Sequence, residues 1–194
     1  MMSEDLKLKI DAHVIRQLGA ELVSDEKQAI LKLVKNSYDA DSANCVINIA
    51  TDERTHLTHK GDKSLLNFRL NTKTSTVECK AVSDNEQELV QRTISTTGKI
   101  SIIDKGDGIP YEALQNSWLV ISNSLKRSVA DGPKRPTKKG RTPLGDKGVG
   151  RLATMKLGDV LLIESSTSEN LPIHQVYFRW ADCLPGITLD SVPV

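Results

Sequence analysis

The segment Leu33-Val34-Lys35-Asn36-Ser37-Tyr38-Asp39-Ala40 sets an amide and a carboxylate three residues apart. At about 100° per helical residue, Lys32, Asn36 and Asp39 fall in one narrow sector beside the apolar stripe. A helix built this way can present an amide and a carboxylate to a ligand, or it can simply carry a solvated polar stripe. The second cluster is Asp104-Lys105-Gly106-Asp107-Gly108, directly after the apolar run Ile100–Ile103. A carboxylate at a strand end can accept a hydrogen bond from an exocyclic amine, and the glycines let a ligand approach the backbone closely. The same letters also suit a plain tight turn. The third cluster is Gly145-Asp146-Lys147-Gly148-Val149-Gly150-Arg151. Successive backbone N–H groups at a helix start make an anion cradle, and Lys147 adds a point charge. A phosphate-binding P-loop is excluded here. Gly140 and Gly145 have the right spacing, but Lys147 comes one residue late, Gly148 replaces the Ser/Thr, and a basic linker stands where a strand should be.

The elements that must position these groups can be read from periodicity. Asp11 is placed to cap a first helix running to about Leu22, with Val14, Leu18 and Leu22 in one row. Ser24 is placed to cap a second, with Asp25 and Glu26 in its first turn and Ala29, Ile30, Leu33 and Val34 as its apolar face. Val46–Ala50 alternates as a short strand. Residues 51–98 are polar and rich in Thr, Ser and Asn, and read as an inserted hairpin or loop excursion with strand-like pieces at Leu65–Leu70 and Thr76–Val82. Lys99–Asp104 is a strand. Pro110 suits a first helical position, and Leu114, Trp118, Ile121 and Leu125 follow at helical spacing. Residues 127–144 form a Pro/Gly/Lys/Arg linker with almost no apolar content, expected to be mobile. Gly145–Gly150 leads into a short helix that Gly158 can end, and strands follow at Asp159–Glu164 and His174–Trp180. This order predicts one α+β domain, a mixed sheet with helices on one face.

The composition narrows the function classes. Lys+Arg of 26 against Asp+Glu of 25 gives no global bias toward nucleic acid or membrane. No stretch approaches the roughly 18 apolar residues of a membrane span, and the N-terminus lacks a signal-peptide apolar run. Cys45, Cys79 and Cys183 are odd in number and far apart, which reads as reduced thiols in a cytoplasmic protein. Only His56 and His59 lie close together among the four histidines, so ligand spacing argues against a zinc site.

Taken in order, the three clusters resemble the Bergerat-type ATP site of the gyrase/chaperone/histidine-kinase/MutL (GHKL) superfamily. The first box of that family is matched by Asn36, Asp39 and Ala40, the second by Asp104, Gly106 and Gly108, and the glycine-rich lid hinge by Gly145, Gly148 and Gly150. The resemblance covers residues 10–180. Leu33–Asp41 and Trp118–Lys126 are most similar to its chaperone/Microrchidia-like branch, which includes bacterial ATP-binding proteins. It implies a two-layer α/β sandwich with a mostly antiparallel sheet and a mobile ATP lid over about 122–150. It also implies that ATP and Mg²⁺ are the ligands. Asn36 would hold the metal. Asp104 would hold the adenine amine, with Ala40 and Gly108 near the base. Ser124 and Lys126 would face phosphate, and Lys147, Gly148, Val149 and Gly150 would wrap the terminal phosphates.

One position departs from the pattern. In hydrolytic members a Glu four residues before the magnesium Asn activates the attacking water, and here Lys32 stands there. A protonated lysine has no lone pair to accept a proton, so the resemblance implies ATP binding with weak or absent hydrolysis. Gly186-Ile187-Thr188-Leu189 is a weak match to the family's later threonine-containing strand, and the chain reads as the N-terminal part of a longer protein. The main expectation is an ATP-gated conformational or dimerisation switch. Two alternatives are a histidine-kinase-type catalytic domain and a nucleic-acid-associated module. The second would use residues 126–151, where nine Lys/Arg face two Asp without aromatics for base stacking.

Overall fold

The computed structural model describes residues 8–62, 76–84, 87–121, 133–145, 148, 150–192 and 194. Helix α1 spans His13–Leu22 and α2 spans Glu26–Asp39. The N-cap of α1 is Ala12, which offers no side-chain cap, and not the expected Asp11; Asp11 stands one residue earlier, its Oδ1 accepting the His13 N–H at 2.8 Å. Ala12, Ile15 and Gly19 are the buried residues; of the row Val14–Leu18–Leu22, Leu18 packs against the core while Val14 and Leu22 are exposed. Gly19 lets the helix lie against Met155, since a Cβ there would sit 1.9 Å from the Met155 Cε. The cap of α2 is Asp25 and not Ser24: its Oδ1 accepts the Gln28 N–H at 2.8 Å and satisfies one of the free first-turn donors. Both residues are good caps by type. Asp25, with extended backbone directly before the first helical residue Glu26, takes the role.

Strand β1 covers Cys45–Asp62, β2 Thr76–Asp84 and β3 Gln87–Asp104, forming an antiparallel sheet in the order β1-β3-β2. Strands β4 (Val160–Ser165) and β5 (His174–Arg179) form a separate antiparallel pair. The α+β class is therefore observed. In place of one mixed sheet, every pairing between the described strands is antiparallel, in two sheets. The polar stretch 51–98 is mainly a continuation of β1 and β3 across a bulge, where the register shifts between Ala50 and Arg54. Gly98, at φ +81°, faces the extra residues there, its Cβ position 3.6 Å from the Thr51 oxygen. Periodicity misses these strands because most of their residues are polar and pair across the sheet, as His56 Nδ1 does with Ser95 Oγ at 2.8 Å, leaving few apolar positions such as Leu57 opposite the buried Ile94. The expected piece at 76–82 is β2, while Leu65–Leu70 lies outside the described residues.

Pro110 sits at the N-cap of a short helix, Tyr111–Ala113, which widens into a π-helical turn over Leu114–Trp118 closed by Leu119 N–H to Leu114 O at 2.9 Å. Arg151 braces that turn. Its Nη1 donates to the Ser117 oxygen at 3.1 Å, and its guanidinium lies 5.0 Å over the Trp118 ring. Burial lowers the Arg151 pKa to about 10. The short helix expected after Gly150 is a 3₁₀ helix, Gly150–Lys156, and it packs on both α1 and α2. Ile187–Leu189 does not join a sheet. It pairs with the N-terminal residues, with Ala12 N–H to Ile187 O at 2.7 Å and Leu189 N–H to Ile10 O at 2.9 Å.

The main core gathers Ala12, Ile15, Leu152, Trp180 and Cys183, with Phe178 edge-on to Trp180 at 4.5 Å. Val23, Ala29 and Ala153 form a second apolar cluster that seats the start of α2. The thiol of the buried Cys183 has its pKa pushed up to about 11, first by burial and then by Asp182. The outer part of β3 is tied to the C-terminal segment by a buried ion pair, Arg92 Nη1 to Asp182 Oδ2 at 2.9 Å. Arg179 is fully buried nearby. Its pKa is lowered first by burial; Asp182 and Asp159 counter this and Arg92 adds to it. Removing one partner of a buried pair leaves the other charge uncompensated. Asp182→Ala is therefore expected to destabilise the fold by about 3–5 kcal/mol. The exposed Asp190→Ala should stay within about 0.5 kcal/mol, both read by urea denaturation.

Candidate functional site

Helix α2 ends in a two-bond C-terminal motif: Ser42 N–H donates to Ser37 O and Asp41 N–H to Tyr38 O, each at 3.1 Å. The residue that turns left-handed there is usually glycine, but here it is Asp41, at φ +61°. Asp tolerates this conformation better than most side chains, and the carboxylate is put to use.

The loop after β3 is attached to this helix end at three points. The Ser37 hydroxyl donates to Asp104 Oδ2 at 2.8 Å. Asp107 N–H donates to the Ala40 oxygen at 2.8 Å, and Lys105 N–H to Ser42 Oγ at 3.0 Å. Asp104 Oδ1 also accepts the Gly106 N–H at 2.9 Å, so its carboxylate orientation is fixed from both sides while the residue stays exposed. The glycines are needed for packing. A Cβ on Gly106 would lie 2.4 Å from the Ala40 oxygen, and one on Gly108 (φ +69°) would lie 2.0 Å from the Ser166 oxygen. Gly108 is thus barred to other residues both by conformation and by space. The next amide, Ile109 N–H, donates to Ser165 Oγ at 2.7 Å, which ties the loop to β4.

The segment leading to the third cluster joins the same helix end. Asp39 Oδ1 accepts the Leu144 N–H at 2.7 Å and Oδ2 the Gly145 N–H at 3.0 Å. Asp41 accepts the Thr137 hydroxyl at 2.6 Å and the Lys139 N–H at 2.9 Å. Burial pushes the Asp41 pKa up, but the Thr137 and Lys139 hydrogen bonds, with the Arg141 and Lys139 charges, outweigh it and hold the carboxyl below its ordinary 3.8. Arg141 donates from Nη1 to Tyr38 O at 3.1 Å and to Ser42 O at 2.9 Å, with its guanidinium 4.8 Å over the Tyr38 ring. Residues 133–145, expected to be loose for want of apolar anchors, are held by polar ones. Several cations of the described basic segment also contact their own chain. Lys134 Nζ reaches Pro143 O at 2.9 Å, Lys139 Nζ reaches Asp41 O at 2.7 Å, and Lys138 pairs with Asp107 at 3.1 Å.

Three clusters far apart in sequence thus meet around the last turn of α2. Asn36 lies exposed on that helix, one turn after the half-buried Lys32 and on the same face. Asp39 and Ala40 end it, and Asp104, Gly106 and Gly108 lie against it. Gly148 (φ +65°) and Gly150 follow the Gly145 anchor and lead into the 3₁₀ helix packed on α2. Ser124, Lys126, Lys147 and Val149 lie outside the described residues. The motif reading did not find Ser37, Asp41, Ser42, Thr137 or Arg141. A serine inside the first cluster and an Asp-Ser pair directly after its helix were the available signals for the first three.

Among the described residues no group of three or more His, Cys, Asp or Glu comes together. An exposed amide such as that of Asn36 could hold magnesium together with ligand phosphates and water, since this ion keeps waters and favours ligand phosphates over all-protein cages. No helix among the described residues is long and apolar enough to cross a membrane. No curated protein sequence matches the chain. A family model described as "Histidine kinase-, DNA gyrase B-, and HSP90-like ATPase" matches residues 23–181, which include the first two clusters, the glycine run and all five strands. The chain belongs to the GHKL ATPase family, whose domains bind ATP with Mg²⁺.

Proposed function

We propose that this chain is a Mg-ATP-binding switch whose shape or self-association responds to nucleotide and whose hydrolysis is slow. The observation that carries the reading is Asp104, an exposed carboxylate oriented by Ser37 and Gly106 beside Ala40. A carboxylate so fixed is a ready acceptor for the adenine amine, and a fixed acceptor loses little freedom on binding. Asn36, on the same helix, is the proposed magnesium ligand. Ser124, Lys126, Lys147, Gly148, Val149 and Gly150 are the proposed phosphate contacts, within a lid over about 122–150. Likeness to the chaperone/Microrchidia-like branch, carried by Leu33–Asp41, belongs to the same proposal.

Slow turnover rests on Lys32. One helical turn before Asn36, it occupies the position from which a carboxylate would activate water for attack on the terminal phosphate. An ammonium there cannot act as general base, although it can favour the ground-state phosphate through its charge. The result would be a long-lived nucleotide-bound state.

Calorimetric titration of Mg-ATP should show saturable binding that Asp104→Asn weakens by about 1.5–3 kcal/mol, or about ten- to a hundred-fold. Equal affinity for both proteins would remove the adenine assignment. In a steady-state phosphate-release assay at saturating Mg-ATP, the wild-type chain should be near background. Lys32→Glu should raise the rate, up to the roughly 10²–10⁴-fold that general-base assistance supplies. Brisk wild-type hydrolysis that Lys32→Glu leaves unchanged would contradict the role given to this position.

A further inference from the structure

The resemblance places Asp39 among the ATP contacts, yet both its oxygens accept backbone N–H groups of Leu144 and Gly145, 105 and 106 residues away in sequence. Two residues on, Asp41 accepts the Thr137 hydroxyl and the Lys139 backbone N–H, one on each oxygen. Between these two anchors the chain makes a tight turn, with Gly140 N–H to Thr137 O at 2.9 Å and Gly140 at φ +76°, and Arg141 returns to the oxygens of Tyr38 and Ser42. Two carboxylates and one guanidinium thus fasten residues 137–145 to the last turn of α2, directly before the glycine run that begins at Gly145.

The position of Asp41 supports a dedicated role. Glycine would adopt its left-handed conformation without strain and would keep both hydrogen bonds that end the helix. An aspartate there carries a conformational cost that the helix end itself does not require. What the side chain adds is its contacts to Thr137, Lys139 and Arg141.

We infer that Asp39 and Asp41 form a two-carboxylate latch that positions the start of the glycine run for the phosphates of the nucleotide. Both are positioning residues, acting through the Gly145 backbone and not by touching ATP. The inference rests on the nucleotide reading above and deepens it. The adenine end is set by Asp104 and the phosphate end by the latch, both from one helix terminus.

The two ends can be separated by comparing ATP with adenosine, which lacks the phosphates. Asp41→Gly keeps the helix end and removes one carboxylate. Its adenosine affinity should match wild type, while the preference for Mg-ATP over adenosine should fall about tenfold, the scale of one lost charged hydrogen bond. Asp39→Asn should reduce the same ratio. If Asp39→Asn fails to fold, Asp41→Gly decides. A wild-type ratio in the folded variants, or a parallel loss of adenosine binding in Asp41→Gly, overturns the latch. Hydrogen exchange at the Leu144 and Gly145 amides, measured without nucleotide, reads the latch independently. Faster exchange in both variants supports it, and unchanged exchange overturns it. Wild-type chain that binds no ATP while Asp41→Gly speeds this exchange would sink the nucleotide reading and leave the latch standing.

Discussion

The carboxylate of Asp104 and the hydroxyl of Ser37 meet at 2.8 Å, joining the end of β3 to the last turn of α2. The rest of the site depends on that contact because neither element can place the acceptor alone. A strand-end aspartate followed by glycines has many rotamers and a soft backbone. The Ser37 bond, the Gly106 amide and the contact of Gly106 with Ala40 reduce these to one arrangement. Ser37 is nearly inaccessible to solvent, so its hydroxyl needs a partner, and Asp104 supplies one.

The same helix end organises the chain on its other side. Its closing residue is an aspartate, not a glycine, and the two carboxylates Asp39 and Asp41 take up backbone donors from a segment that has almost no apolar residues to bury. Hydrophobic packing fixes α2 itself, through Ala29 against Val23 and Ala153. Polar bonds then attach the functional loops to it. This division suits a nucleotide site: the frame resists deformation, while loops held by a few hydrogen bonds can rearrange at modest cost.

The features legible from sequence were those with a local or periodic signature. The α2 helix, the inner parts of β1 and β3, the β4–β5 pair and the three clusters in their order all have one. Spacing could not choose between neighbouring rows of α1 or between Ser24 and Asp25 as a cap, because the alternatives differ by one residue of the same type. The outer strands 51–62 and 87–98 were read as an excursion because Thr–Thr and His–Ser pairing leaves few apolar positions. The tie between Asp39 and Gly145 was invisible for a different reason. A carboxylate accepting main-chain N–H groups sets no constraint on the side chains of the residues that donate them.

The central claim is that the end of α2, the Asp104 loop and the glycine run form one nucleotide site. The most direct measurement is a ¹⁵N–¹H correlation spectrum of the chain titrated with a nonhydrolysable ATP analogue and Mg²⁺. The account predicts saturable shifts concentrated at Asn36–Asp41, Asp104–Gly108 and Gly145–Gly150, appearing together with one affinity. Shifts that gather elsewhere, or that leave Asp104–Gly108 untouched at saturation, would contradict it.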